Sequence, residues 1–451
     1  MVGAVRLLYR FNSRIRSIDR DGDRITLHVE NLKPLTFVAP SAAHADTVMA
    51  LRGRGATLAA LAGIAGSEKA AGYVVDRFAK ARLLNWTVSD DHEVLAEVAS
   101  LAGDYQPRAA PAPAGERLAL CRLACLRRHD GQTILDSGAV RARATLSRAG
   151  IEALADSLAE RRPAAGDGFA AALWQLGFFD HLESRESDAR QTWQFADLML
   201  HEASRFNRNQ PMGGTYRFKR HMPSPPAVKP APSGERIALP PVDDARLGAA
   251  SRPLDAVQTR RRSITRYAER EISLAQVGEF LWRVGRTTDY SGDGDDAVIS
   301  RPYPSSGSLN ELELYLAVRR CDGLTSAVYH YDSHGHALTQ LPGSATAAER
   351  IIDQSARAMS LPPEAQRPDL TIVISSRLPR LAWKYEAVAY RLSLLNVGVV
   401  FELMYLVATD MGLAPCANGI GNSRPLQDVL DGDPFEEVAI AEFCLGLPAT
   451  D

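Results

Sequence analysis

The chain lacks the local signatures of several common chemistries. No GxxxxGK[ST] loop, no GxGxxG leading from a strand into a helix, no HExxH and no GxSxG occurs in it, which removes local support for a P-loop nucleotidase, a dinucleotide site, a zinc protease and a serine hydrolase. Cysteine is scarce: Cys121, Cys125, Cys321, Cys416 and Cys444 form an odd, scattered set in 451 residues, unlike a secreted disulfide framework. A reducing, cytoplasmic setting fits them, and Cys121 and Cys125 have no second pair to complete a zinc site, so no metal is expected. Net charge of one sign is missing too. The formal value is −2, which predicts neither a nucleic-acid nor an anionic-membrane partner. Residues 1–105 repeat the point locally, with 13 Lys and Arg against 12 Asp and Glu, where a phosphate-reading face needs a concentrated positive stripe. Long clean apolar runs are absent as well. The N-terminal MVGAVRLLYRFNSRIRS has no unbroken apolar core of the signal-peptide type and reads as a first strand. The segment opening WKYEAVAYR at residue 383 is broken by Asn396, Glu402 and Asp410 before it reaches the ~20 apolar residues a bilayer needs. It reads as a core or subunit-interface helix, predicted over residues 384–411.

What is present points to several units. A prior of roughly 150 residues per domain predicts about three, and two proline-rich stretches, QPRAAPAPAGE from 106 and MPSPPAVKPAP from 222, suit extended connectors running over a surface. In residues 1–105, strand-like RITLHVE and LTFVAP precede helical segments ending in KAAGYVVDRFAKARLLNWTV, the order of a winged-helix-like α+β unit. Residues 106–190 repeat the order with RLALCRLACLRR, RATLSRAGIEALADSLAE and DGFAAALWQLGFFDHLES, which suggests a tandem pair suited to binding a peptide rather than DNA. Residues 191–250 read as a lead-in helix and proline-rich linker. From 251 to 451 the pattern is mixed α/β. LELYLAV, SAVYHYD, HALTQL, LTIVISSR and EVAIAEFCLGLP read as strands, AAERIIDQSARAM as a helix, and Ser273 with Gln276 as a capping box opening SLAQVGEFLWRVG.

Several stretches carry candidate chemistry, each with a plain structural alternative. RRRSITR packs Arg261, Arg262, Ser263 and Arg266 where a helix ends; guanidinium forks and a hydroxyl suit a phosphate, and a solvated basic turn has the same composition. PYPSSGS (Pro304, Ser305, Ser306, Gly307) and CANGIGN (Gly419, Ile420, Gly421) can bring bare backbone against a flat ring, or are ordinary turns. YHYDSHGH, with three histidines, reads as a hairpin rather than a metal site, and His201 as a packed helical histidine. Lys384 and Tyr385 are either a snorkelling helix end or a proton-transfer pair. Adjacent helical residues point about 100° apart, so joint action requires them at or before the helix start.

Taken in order, RRSITRY, the PSSG turn, ELYLAV with SAVYHYDSHGHALTQL, WKYEAVAYRLSLLNVGVV and the final FCLGLP resemble the SagB-type azoline dehydrogenases, nitroreductase-like flavoenzymes that mature thiazole- and oxazole-containing peptides. WQFADLMLHEASRFNRNQPMGGTYRF is similar to the lead-in of longer members such as cyanobactin oxidases. The resemblance implies an α/β (α+β nitroreductase-like) FMN domain preceded by two winged-helix-like peptide-clamp domains, in a homodimer with the flavin at the subunit interface. It places Arg261, Arg262, Ser263 and Arg266 on the FMN phosphate and ribityl chain, Pro304 to Gly307 and Gly419 to Gly421 along the isoalloxazine, and Lys384 with Tyr385 as the base. It further implies an azoline-containing precursor peptide as substrate, a cyclodehydratase as possible partner, and dioxygen as the reoxidant. The family usually has a small apolar residue where this chain has Ser306. The competing expectation is an NAD(P)H-dependent nitro- or quinone reductase on the same core.

Overall fold

A computed structural model describes residues 4–160, 164–183, 186–206, 211–430 and 432–449. The chain divides into two compact units, Met1–Gln210 and Pro211–Asp451.

The first unit is built around a six-stranded sheet in the order Arg6–Phe11, Leu84–Ser89, Val94–Ser100, Ala142–Leu146, Gln132–Ser137, Ala124–His129, with every neighbouring pair antiparallel. A separate three-stranded sheet holds Ile15–Asp21, Arg24–Val29 and Leu35–Val38. Ser41, Thr57 and Ser67 each accept the backbone N–H three residues on and so start the helices Ala42–Ala50, Leu58–Ala65 and Glu68–Lys80. The strand-then-helix order expected in both halves is present, followed in the second half by Arg148–Glu160 and Gly168–Gln175. The halves are nevertheless joined. Val94–Ser100 pairs with Ala142–Leu146, and one apolar core runs from Tyr9 to Phe179. Periodicity within each half could not show this, because strand pairing across the repeat leaves no mark on either period.

The second unit centres on a seven-stranded antiparallel sheet ordered Arg236–Ala238, Ala337–Gln340, Ala327–Asp332, Leu312–Val318, Leu370–Ser376, Val438–Gly446, Ala414–Asn418. The central strand shows why it is sandwiched. Alternate residues point to opposite faces: Leu312, Leu314, Leu316 and Val318 enter the core shared with Leu274–Gly285 and Ala389–Met411, while Tyr315 and Ala317 face Ala345–Ala358. The Ser273 and Gln276 capping box forms as expected, and YHYDSHGH lies in the hairpin joining Ala327–Asp332 to Ala337–Gln340.

Two expectations are corrected. The proline-rich stretch is extended but is not a free connector. Its carbonyls at Met222, Pro225 and Pro226 accept hydrogen bonds from Trp383, Arg380 and Arg377, and Arg236–Ala238 adds a strand to the sheet edge. The C-terminal unit therefore begins near Pro211 rather than 251. The helix expected over 384–411 is present but starts later, as Ala389–Met411, after the separate short helix Leu378–Lys384 and the extended Tyr385–Glu386. Apolar spacing misses the break because both helices bury the same kind of residue. By length and composition Ala389–Met411 could cross a membrane, but its Asn396, Val397, Val400, Met404 and Val407 are buried in this unit.

A buried polar cluster lies under the central strand. Glu313 meets His330 at 3.2 Å and Arg377 at 3.4 Å, all three almost fully enclosed. Burial by itself would raise the Glu313 carboxyl, but the His330 hydrogen bond and the charges of Arg301, His330 and Arg377 outweigh it and bring the pKa from the ordinary 4.5 down to about 2. A depressed carboxyl contributes stability that is complete above its unfolded pKa and is lost as pH falls through the folded one. Linkage puts this at about 3 kcal/mol. Denaturant midpoints of the full chain are expected to fall between pH 4.5 and 2, and Glu313→Gln to flatten that limb; an unchanged slope in the variant would assign the acid sensitivity elsewhere.

Candidate active site

The site is built where the two helices part. Tyr385 leaves helical geometry at φ −105° and ψ 128°, and Ala387 adopts a left-handed φ of 64°. That break is held from outside: Gly213 and Gly214 pair with Glu386 and Tyr385 as a short antiparallel bridge, and the Tyr216 N–H donates to the Lys384 carbonyl at 3.1 Å. Lys384 and Tyr385 are thereby freed from the 100° divergence of helical neighbours, and they precede the long helix. Both side chains converge on Gly307. A methyl group built on that glycine would run into the Tyr385 hydroxyl and sit 2.8 Å from Lys384 Nζ. The ammonium lies 5.4 Å from the Tyr385 ring centroid.

The turn they face is strained and tightly held. Gly307, Ser308 and Asn310 all have left-handed φ, at 61°, 57° and 47°. Ser305 Oγ accepts from the Asn310 N–H at 2.9 Å. Ser306 donates through its N–H and its hydroxyl to Asn396 Oδ1, at 3.3 and 3.1 Å, and Asn396 Nδ2 donates to both carboxylate oxygens of Glu311. Ser306 thus points its hydroxyl into the long helix. Arg380, 1% exposed, lies beneath and donates to the carbonyls of Leu309, Pro225 and Ala297 at 2.6 to 2.8 Å. Burial, with the nearby charge of Arg377, brings its pKa down to about 10. It fastens the turn, the proline segment and the Lys384 helix together.

The arginine turn follows the helix Leu254–Arg260. The Arg261 guanidinium lies 5.2 Å from the Tyr405 ring centroid, Ser263 Oγ is 2.7 Å from Tyr405 Oη, and that oxygen also accepts the Ala417 N–H at 2.8 Å. Ile264 N–H donates to the Pro415 carbonyl. Tyr405 therefore joins the arginine turn to the strand Ala414–Asn418, which leads into Gly419, Ile420 and Gly421. Arg262, Ser263 and Arg266 lie on the exposed side. Ile420 is 78% exposed, and any side chain on Gly421 would collide with Glu442. Burial pushes the Glu442 carboxyl above its usual range, against hydrogen bonds from Ser355 and Asn418 that favour its ionised form. Among the described residues no cluster of His, Cys, Asp or Glu could hold a metal ion.

The predicted residues thus fall into two groups. Gly307, Lys384 and Tyr385 meet directly; Arg261 and Ser263 are tied to the strand that carries the 419–421 loop. The first group contacts the long helix at Asn396 and the second at Tyr405. These positions are nine apart in the helix, about 13 Å along the axis and about 180° around it. Sequence reasoning missed Gly213, Gly214, Tyr216, Glu311 and Arg380. One signal was legible: Arg380 inside the apolar LPRLAW.

Residues 259–447 match the sequence pattern of the Nitroreductase family. That match covers 189 of the chain's 451 residues. The chain is 24% identical over 177 residues to a putative nitroreductase of Methanocaldococcus jannaschii, covering 39% of this chain and 83% of that protein. Among solved structures it is similar to a putative nitroreductase of Ralstonia eutropha, with a TM-score of 0.38 and 19% identity over 50% of this chain and 95% of the other. It is also similar to a chain of the E. coli microcin synthetase McbBCD complex with truncated pro-MccB17 bound, with a TM-score of 0.36 and 16% identity over 52% and 82%. The matched stretch is that of a family whose members generally bind flavin. The sheet-rich first unit precedes it.

Proposed function

We propose that the protein is an FMN-dependent azoline dehydrogenase that oxidises peptide thiazolines or oxazolines to thiazoles or oxazoles. One observation carries the reading: Lys384 and Tyr385 converge on the bare Cα of Gly307, so a proton-transfer pair stands at the turn that the resemblance assigns to the flavin ring. The residues fit FMN. The arginine turn offers charge-assisted donors to a phosphate, and Gly419 has open space beside its Cα. When bound, FMN supplies the two-electron acceptor. The protein's part is to hold the azoline ring and to take the proton leaving its carbon on a Tyr385 phenolate paired with the Lys384 ammonium. Arg261, Arg262, Ser263 and Arg266 would grip the phosphate end.

The two groups of residues stand on opposite faces of the long helix, and Tyr390, Leu394, Leu395 and Val399 leave an apolar stripe exposed on it. Both features favour a homodimer in which each cofactor site takes residues from two copies. The first unit, near-neutral and sheet-rich, suits a precursor peptide as its ligand, and a cyclodehydratase that makes the azoline is the natural partner.

Substituting Arg261→Ala together with Arg262→Ala is expected to weaken FMN binding about 100-fold, from the loss of roughly 3 kcal/mol of charge-assisted contacts; fluorescence titration measures it, and unchanged affinity would move the phosphate elsewhere. For the function itself, FMN-loaded full chain is mixed with an azoline peptide and examined by mass spectrometry. Loss of two hydrogens per heterocycle is expected. No mass change, alongside NADPH-driven reduction of a nitroarene, would favour the reductase alternative.

A further inference from the structure

The segment 211–226 precedes the part of the chain that matches the Nitroreductase family, yet it is attached to the Lys384 helix at nearly every turn. Gly213 and Gly214 bridge Glu386 and Tyr385, Trp383 Nε1 donates to the Met222 carbonyl at 2.7 Å, and Arg380 reaches the Pro225 carbonyl. At its centre stands Tyr216. This residue holds a left-handed φ of 52°, a conformation unfavourable for an L-residue that persists only where the surroundings impose it. What imposes it is visible. The Tyr216 N–H bonds the Lys384 carbonyl at 3.1 Å, and its ring stands edge-on to Trp383, with centroids 5.7 Å apart at 90°. The same ring lies 5.7 Å from Lys384 Nζ, within the range where a π-face attracts an ammonium. The ammonium is therefore flanked by two tyrosine rings, one following it in sequence and one brought from 168 residues upstream.

We propose that Tyr216 is a positioning residue for Lys384: the strap delivers its ring so that the ammonium is kept against Gly307 and Tyr385 rather than released to solvent. The residue touches no reacting atom. It acts on where Lys384 points, and it makes the strap a required part of the site. This rests on the reading of Lys384 and Tyr385 as a proton-transfer pair only where turnover is measured.

The test uses the full-length protein and three variants. Tyr216→Phe keeps the ring, Tyr216→Leu keeps apolar bulk against Trp383 without a π-face, and Tyr216→Ala removes both. Trace acetic anhydride labelling, read by mass spectrometry with Lys33 and Lys69 as internal references, reports how accessible Lys384 is and needs no substrate. The Leu and Ala variants are expected to label Lys384 about fivefold faster than the parent, and Phe within about twofold of it, as an attraction of cation–π size requires. If Ala does not fold, the Leu and Phe pair decides. Equal labelling of Leu and parent would overturn the proposal, because packing alone would then account for Tyr216. In azoline turnover, kcat should fall in Leu and recover in Phe with KM little changed. Altered labelling without any azoline oxidation would sink the proposed reaction while leaving the positioning role intact.

Discussion

Replacing Lys384 by alanine, or Tyr385 by phenylalanine, is expected to leave FMN bound and to lower azoline turnover by about 10²- to 10⁴-fold, the usual worth of a positioned acid–base group. The cofactor should stay because neither residue belongs to the arginine turn or the 419–421 loop, the elements assigned to its grip. The effect should fall on kcat, since proton removal is made only in the transition state. The two single variants should not add when combined: both side chains meet at one point over Gly307, and groups that act as a unit lose most of their effect at the first deletion. Steady-state rates with the flavin content measured in the same samples check this. Full activity in both singles would remove the pair from the mechanism.

Gly307→Ala is expected to be nearly as damaging through one methyl group. The added carbon would occupy the position of the Tyr385 hydroxyl and crowd Lys384 Nζ to 2.8 Å, so one of the two side chains must move. Displacements of about 1 Å at a reacting centre cost on the order of 100-fold in rate. The left-handed φ of 61° adds a backbone penalty of about 1–2 kcal/mol, which should appear as a lower melting temperature. Separating the two is direct: Ser308, also left-handed at φ 57°, is the adjacent control. Ser308→Gly should relieve backbone strain without clearing the pair, and so raise stability while leaving the rate alone. A Gly307→Ala protein with parental kcat would mean that Lys384 and Tyr385 are not held at this turn during catalysis.

Much of the C-terminal unit was legible in its sequence because strands such as LELYLAV and LTIVISSR and the box at Ser273 are written locally, in period and capping chemistry. The positions of Lys384 and Tyr385 were legible in part. Their adjacency suggested that they must lie outside a helix, but the break that places them there comes from Gly213 and Gly214, which sit far away in sequence. Tyr216, Glu311 and Arg380 were hidden for the same reason. Arg380 looks like a misplaced charge in LPRLAW until the three carbonyls it satisfies are seen together. The proline-rich stretch misled for a different reason: proline predicts an extended backbone, which is present, but says nothing about whether its carbonyls meet water or buried donors. The tandem halves of the first unit show the same limit, since one edge pairing, Ala142 with Ser100, merges what their patterns kept apart.

The central claim is that the C-terminal unit passes two electrons from an azoline ring to bound flavin, with Lys384 and Tyr385 taking the proton. Anaerobic rapid mixing of the FMN-loaded protein with an azoline peptide, followed through the flavin's yellow absorbance, tests it most directly. Rapid bleaching by the peptide, slowed in Lys384→Ala, is the predicted result. Bleaching by NADPH with no response to the peptide would contradict it.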